Sequence, residues 1–304
     1  MKRDLLTILD LTAAEIVALL ARAREMKKLW FQGTLRPVLP GKTLGLLFTK
    51  PSTRTRISFE AAMNRLGGSC IFMTEKETQL SRKEPLPDTA RVMSRYIEVL
   101  AVRTFDHADV EELARHASIP VINALTDSNH PCQVLSDLLT IQEKRGSLQD
   151  LEVAWIGDGN NVAHSWIDAA ARMGFTLRLA CPEGYLPDRR VLERARAEGG
   201  RNIFVVSDPR EAVASADAIN TDVWASMGQE EEADTRRKVF APYQVNADLL
   251  SHAPRHALVM HCLPAHREEE ISTEVLEGPH SVVFDQAENR LYFQMALLEW
   301  ILPS

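Results

Sequence analysis

Nine short apolar runs, separated by stretches with helical periodicity, leave this chain few folds to choose from. Four lie in the first half, at 43–49, 70–73, 99–105 and 120–125, and five in the second, at 152–158, 176–182, 202–208, 218–224 and 257–264. Each is short, apolar and bounded by turn residues, so each reads as a buried strand. A helix between successive strands supplies the long crossover that parallel pairing needs. The predicted fold class is α/β: two doubly wound domains, each a parallel sheet flanked by helices and linked by interdomain helices. At 304 residues and 45% hydrophobic composition, the chain is long enough for two cores. The boundary is expected near 135, inside a helix predicted to follow "HPCQ" (130–133) and to end near Gly146. An N-terminal helix is expected after the capping box of Thr12 and Glu15, and an amphipathic one over 284–302. No repeat or low-complexity tract interrupts this pattern.

The formal net charge of −7 gives the molecule no reason to seek nucleic acid or an anionic membrane. Cys70, Cys132, Cys181 and Cys262 form no CxxC pair and no metal-ligand spacing, so neither disulfides nor a metal are expected. Acidic residues interrupt the apolar start, which makes a poor signal peptide, and no run approaches a membrane span of about 20 residues. A cytoplasmic protein is expected.

Against that acidic background, "FTKPSTRTRISFE" (48–60) stands out for its cations and hydroxyls at a strand-to-helix junction. Free N–H groups at a helix start, hydroxyls at Ser52, Thr53 and Thr55, and the forks of Arg54 and Arg56 together match an oxyanion such as phosphate. The glycines of a P-loop are missing, so a Walker-type ATP site is not indicated. In such folds ligands bind beyond the carboxyl ends of strands, and further candidates fall there. Arg103 ends the run at 99–105 and fits an ion pair and a ligand contact equally well. His130 and Gln133 open the bridging helix; an imidazole there suits a structural contact or general acid–base work. Asn160 and Asn161 follow "IGDG" and suit either helix capping or a carboxylate. Asp222 ends the run at 218–224, where it suits a turn or an ammonium partner. Cys262 reads most simply as a buried apolar thiol. Leu263, before proline, is expected to be extended with its carbonyl open to a ligand. Arg290, near the start of the last helix, reads as a surface ion pair.

Taken together, "STRTR" (52–56), "HPCQ" (130–133), "DGNNV" (158–162), "TDVWASMG" (221–228), "HCLP" (261–264) and "ENR" (288–290) resemble, in order and over nearly the whole chain, the aspartate/ornithine carbamoyltransferase family. The resemblance implies that residues 1–134, with helix 288–304 packing back on them, bind carbamoyl phosphate. It implies that residues 135–287 bind the amino-acid acceptor. By similarity, Ser52, Thr53, Arg54 and Thr55 contact the phosphate and Arg56 supports them. Arg103, His130 and Gln133, with Thr55, hold the carbamoyl group, with Arg103 and His130 polarising its oxygen. Gln79 reaches a neighbouring subunit's site, and Arg290 completes this half. Asn161, Asp222, Ser226 and Met227 hold the α-amino and α-carboxylate groups of L-ornithine. Cys262 and the Leu263 carbonyl face its δ-amine. Arg56, Arg103, His130 and Cys262 are the implied catalytic residues. No metal or organic cofactor is implied. A homo-oligomer is, as a trimer or a multiple of trimers, with sites at subunit interfaces.

The implied reaction turns carbamoyl phosphate and L-ornithine into L-citrulline and phosphate, in arginine biosynthesis or in reverse in arginine catabolism. The "SMG" loop favours ornithine over N-acetylornithine, putrescine or aspartate as acceptor. A nicotinamide-dependent dehydrogenase built on "GDGNN" is disfavoured because Val162 stands where the third glycine belongs. A non-catalytic homologue is disfavoured by the intact basic set. Two features depart from the family's pattern: Glu268 stands where relatives usually carry Gly, and Pro85 and Pro87 follow Gln79.

Overall fold

The computed structural model describes residues 2–225 and 232–302. The chain forms two compact units, Met1–Leu139 with Glu288–Ser304, and Thr140–Ala287. The first holds β1 (Thr43–Phe48), β2 (Ser69–Thr74), β3 (Val99–Arg103) and β4 (Val121–Leu125), in the order β2-β1-β3-β4. The second holds β5 (Glu152–Ile156), β6 (Thr176–Ala180), β7 (Ile203–Val206), β8 (Ala218–Thr221) and β9 (Leu258–His261), in the order β7-β6-β5-β8-β9. Every pairing between these strands is parallel. The α/β expectation holds in both units.

In each unit the first strand lies inside the sheet, and the chain builds outward to one side before crossing to the other. That places a switch in winding direction between β1 and β3, and another between β5 and β8. At such a point the loops after the two strands part and leave a crevice.

Two of the nine strands are not the buried elements that their apolar character predicts. β2 and β7 are edge strands, and Ile71, Phe204 and Val205 are exposed. Cations cover part of each edge: Arg56 lies 3.7 Å over the Phe72 ring and Arg178 5.8 Å over that of Phe204. Several strands also stop short of their apolar runs. β8 ends at Thr221 because the Asp222 carboxylate turns back to accept the Val223 N–H at 2.8 Å. The last helix, Val283–Ile301, is not amphipathic throughout. Residues 292–298 are all buried, Tyr292 and Gln294 among them. Thr12 does cap Ala13–Phe31, exchanging bonds with Glu15.

The turn after β5 shows why glycine stands where the sequence hinted at a dinucleotide motif. Gly157 has φ +132°, and a Cβ on Gly159 would lie 2.2 Å from the backbone nitrogen of Pro187. The glycines let the 185–187 loop close on the turn; Gly159 N–H donates to the Tyr185 carbonyl at 2.9 Å. Gly159→Ala should therefore displace this loop and destabilise the fold by about 1–3 kcal/mol. An unchanged urea midpoint for the variant would show that the 185–187 loop yields without cost.

Candidate active site

In the first unit, β1 and β3 run side by side with Phe48 in register with Arg103, and Thr49 N–H donates to the Arg103 carbonyl at 2.9 Å. This register sets the "STRTR" segment beside the tip of β3. Ser52 caps helix Thr53–Arg65 by accepting the Thr55 N–H at 3.2 Å. The N–H groups of the first turn that remain, with the positive end of the helix dipole, face outward. Ser52, Thr53 and Arg56 line an open hollow of about 730 Å³ with Phe72 and Lys76. Arg56 also pairs with Glu60 at 2.9 Å. The guanidinium of half-buried Arg54 has no ion-pair partner among the described residues.

Thr55, Gln133 and Arg290 meet deeper in this unit. Arg290 donates to Thr55 Oγ1 at 2.7 Å and to Gln133 Oε1 at 3.1 Å, and Gln133 donates to Asp137 at 2.8 Å. Arg290 is therefore no surface ion pair; it is 3% exposed. Helix Val283–Ile301 has returned it to the start of the chain. Arg103 and His130 are buried too. Burial holds the His130 pKa well below the usual histidine range, and the charges of Arg290 and Arg103 push it the same way. His130 is a neutral imidazole at neutral pH, able to donate a hydrogen bond without carrying charge. Gln79 is exposed, at the start of the short 3-10 segment Gln79–Arg82. Pro85 and Pro87 lie at the N-terminus of helix Leu86–Met93, where proline is tolerated.

A contact absent from the sequence reading braces this half. Lys50, 4% exposed, pairs with Asp127 at 2.5 Å and lies 4.4 Å from the Phe105 ring. It ties the loop after β1 to the loop after β4. The lysine was visible in "FTKPSTRTR", but nothing marked its partner.

In the second unit, the pairing of Thr221 with His261 places Asp222 and Cys262 side by side, one residue beyond the ladder. The Cys262 thiol donates to Asp222 Oδ1 at 3.0 Å. Asn160 caps helix Asn161–Met173 through its side-chain oxygen, and its amide nitrogen donates to Asp222 Oδ2 at 2.8 Å. Of the two roles open to Asn160 and Asn161, helix capping and a polar contact, Asn160 fills both by capping and by binding Asp222. Asn161 is half-buried at the first helical position. Ser226 and Met227 lie outside the described residues.

Leu263 is not extended as expected. Its φ of +57° is left-handed, and its N–H donates to His261 Nδ1 at 2.8 Å. His261 Nε2 meets Glu270 at 3.0 Å, with both residues fully buried. Asp222, His261 and Cys262 offer ligand atoms within 4.8 Å of one another. Both imidazole nitrogens of His261 are already engaged, so only a carboxylate and a thiol remain for a cation, too few for an ordinary transition-metal centre. Glu268, where a glycine was expected in relatives, has φ +66°. Its carboxylate accepts the Thr273 N–H at 2.9 Å, which holds its pKa below the usual range.

The carbamoyl-P binding domain model of aspartate/ornithine carbamoyltransferases matches residues 3–143, and the Asp/Orn binding domain model matches residues 149–301. The ornithine carbamoyltransferase of Desulfotalea psychrophila is 56% identical over 96% of this chain and 97% of its own. The anabolic ornithine carbamoyltransferase of Pyrococcus furiosus is 51% identical over 99% of this chain and 96% of its own. A solved structure of ornithine carbamoyltransferase from Pyrococcus furiosus superimposes with a TM-score of 0.94 at 50% identity, covering 98% of this chain and 96% of that one. With two domain models covering nearly its full length, the chain belongs to the aspartate/ornithine carbamoyltransferase family.

Proposed function

We propose that the chain transfers the carbamoyl group of carbamoyl phosphate to the δ-amine of L-ornithine, giving L-citrulline and phosphate for arginine biosynthesis. The observation that carries this reading is the polar cluster of the first unit. Thr55, Gln133 and Arg290 are joined by hydrogen bonds, with Arg103 and His130 buried in the same unit, although they come from four separate stretches of sequence. A cluster that gathers two buried guanidinium groups suits an anionic ligand.

In this reading the start of helix Thr53–Arg65 takes the phosphate, through Ser52, Thr53, Arg54 and Thr55, with Arg56 supporting it. Arg103, His130, Gln133 and Arg290 hold the carbamoyl group. The neutral δ-amine attacks the carbamoyl carbon, a tetrahedral oxyanion forms, and phosphate leaves with the bonding electrons and takes up the proton that the amine nitrogen gives up. Charge grows on the carbonyl oxygen, where Arg103 and neutral His130 donate. Asn161, Asp222, Ser226 and Met227 hold ornithine's α-groups. Cys262 and the Leu263 carbonyl orient the δ-amine, and the thiol forms no covalent intermediate. Carbamoyl phosphate is already activated, so the residues named suffice. The protein acts in the cytoplasm as a trimer or a multiple of trimers, with Gln79 contributing to a neighbouring subunit's site.

The direct test supplies purified protein with carbamoyl phosphate and, separately, L-ornithine, N-acetylornithine, putrescine and L-aspartate, and follows ureido product and phosphate. Product with ornithine alone is expected. Product with another acceptor would overturn the roles of Asp222, Ser226 and Met227, and no product would overturn the reaction.

Arg103→Ala or Arg56→Ala should abolish measurable transfer with the fold intact. Loss of one oxyanion donor typically costs about 2.7–4 kcal/mol. Wild-type kinetics in either variant would remove that residue from the site. Deprotonating an amine of pKa about 10.4 at pH 7 costs about 4.6 kcal/mol, so the rate at low ornithine should climb between about pH 6 and 8. A flat profile would argue against attack by the free amine.

The depressed pKa of His130 also sets a trend in stability. The unfolded chain binds a proton that folded His130 refuses. Its contribution is therefore complete above the unfolded pKa of 6.5 and is lost as pH falls from there towards the folded value. His130→Asn should flatten the loss of Tm on acidification below pH 6.5. Parallel Tm-against-pH curves for the two proteins would contradict a buried neutral imidazole.

A further inference from the structure

A buried ion pair that the proposed reaction leaves unused lies in the second unit. Arg236, on helix Ala233–Phe240, is 5% exposed. One of its terminal nitrogens donates both to Asp158 Oδ2 at 2.9 Å and to the Trp224 carbonyl at 2.7 Å. Its Nε reaches Glu232 at 3.3 Å, and its guanidinium lies 4.7 Å from the Tyr185 ring centroid. Charge, hydrogen-bond geometry and ring packing all fix this side chain in one place.

Both acceptors are placed to matter. Asp158 stands two residues before Asn160 in the turn after β5, and Trp224 stands two residues after Asp222, beyond β8. Asn160 and Asp222 are themselves bonded at 2.8 Å, and Asp222 accepts the Cys262 thiol. One guanidinium thus grips the two chain segments that carry this polar pair, across the switch in winding direction. The turn has little freedom otherwise: the Asp158 carbonyl accepts the Trp155 indole N–H at 2.8 Å, and Gly159 N–H is held by Tyr185. Arg236 also supplies the positive charge for two carboxylates, Asp158 and exposed Glu232. Burial and the charge of Asp222 push the Asp158 pKa up, while Arg236 opposes both.

We propose that Arg236 is a positioning residue for the amino-acid half of the site, setting Asn160 and Asp222 by holding the segments on which they lie. The proposal rests on reading the second unit as the ornithine-binding one. It does not require Arg236 to touch substrate. A misplacement of about 1 Å can cost about 100-fold in rate, so a lost grip should be visible in kinetics with ornithine.

The test compares wild type, Arg236→Gln, Arg236→Lys and the double variant Arg236→Gln/Asp158→Asn. It measures KM for each substrate, kcat, and the urea midpoint. Arg236→Gln should raise the ornithine KM by about 10- to 100-fold, with the carbamoyl phosphate KM little changed. Its urea midpoint should fall, because Asp158 is left as a buried carboxylate without its counter-charge. The double variant removes that stranded carboxylate, so its midpoint should recover. Its ornithine KM should stay high, because the Trp224 carbonyl still lacks its donor. Arg236→Lys, with one ammonium in place of the fork, should fall between. Should Arg236→Gln fail to fold, the double variant carries the same kinetic comparison.

A purely structural role would lower the active fraction, and with it kcat, leaving both KM values in place; that pattern would overturn the proposal. So would equal changes in both KM values, or an ornithine KM that recovers with the midpoint in the double variant. Wild-type protein that turns over no ornithine would overturn this proposal together with the function on which it rests. Normal wild-type turnover with an unmoved ornithine KM in the variants would overturn this proposal alone.

Discussion

All strands of each sheet run parallel, so every loop that follows a strand leaves from the same edge of its sheet. Most of the site chemistry follows from that constraint. Thr221 pairs with His261, so the next residues, Asp222 and Cys262, leave their strands together and meet at 3.0 Å. Phe48 pairs with Arg103, so the hydroxyl-rich helix start after β1 rises beside the tip of β3. An antiparallel neighbour in either sheet would send one member of each pair to the opposite edge. The candidates are far apart in sequence yet side by side in space because ladder register brings them there.

The second constraint is electrostatic. A chain of net charge −7 buries Arg103, Arg236 and Arg290, and each must offset the loss of its water. Arg236 does so with a carboxylate, Asp158. Arg290 also donates to the neutral oxygens of Thr55 and Gln133. Burial, and after it the charges of Arg290 and Arg103, keep His130 neutral beside them. The first unit thereby keeps its positive charge on guanidinium groups, which do not titrate near neutrality.

The fold class was legible in the sequence because apolar runs and helical stretches alternate without a break. Strand burial was less so. β2 and β7 look as apolar as the central strands, and only pairing order makes them edges. Site residues were legible where the residue type is unusual for a strand tip, as with Asp222 and "STRTR". They were illegible where only the partner gives meaning. Arg290 reads as a surface charge until helix Val283–Ile301 is seen to return it to Thr55. Arg236 sits in "DTRRKVF", which looks like any solvated helix, and its partners Asp158 and Trp224 lie 78 and 12 residues away. Local sequence carries no trace of such contacts.

The loop after β9 shows a different limit. Leu263 and Glu268 both adopt left-handed backbone, at φ +57° and +66°. For residues with a Cβ this conformation costs about 1–2 kcal/mol each, and each is held by named bonds. Leu263 N–H goes to His261 Nδ1, a ring fixed on its far side by buried Glu270. Glu268 N–H goes to the Ile271 carbonyl at 2.9 Å, and its carboxylate accepts from Thr273. A glycine at 268 would adopt the same backbone without strain, and would lack that carboxylate bond. Glu268 therefore gives up the conformational ease of a glycine for one more hydrogen bond to the helix that follows. Strain of this kind persists only where the surroundings over-determine the backbone. Here they do so within a few residues of Cys262, where a displaced main chain would carry the thiol away from Asp222.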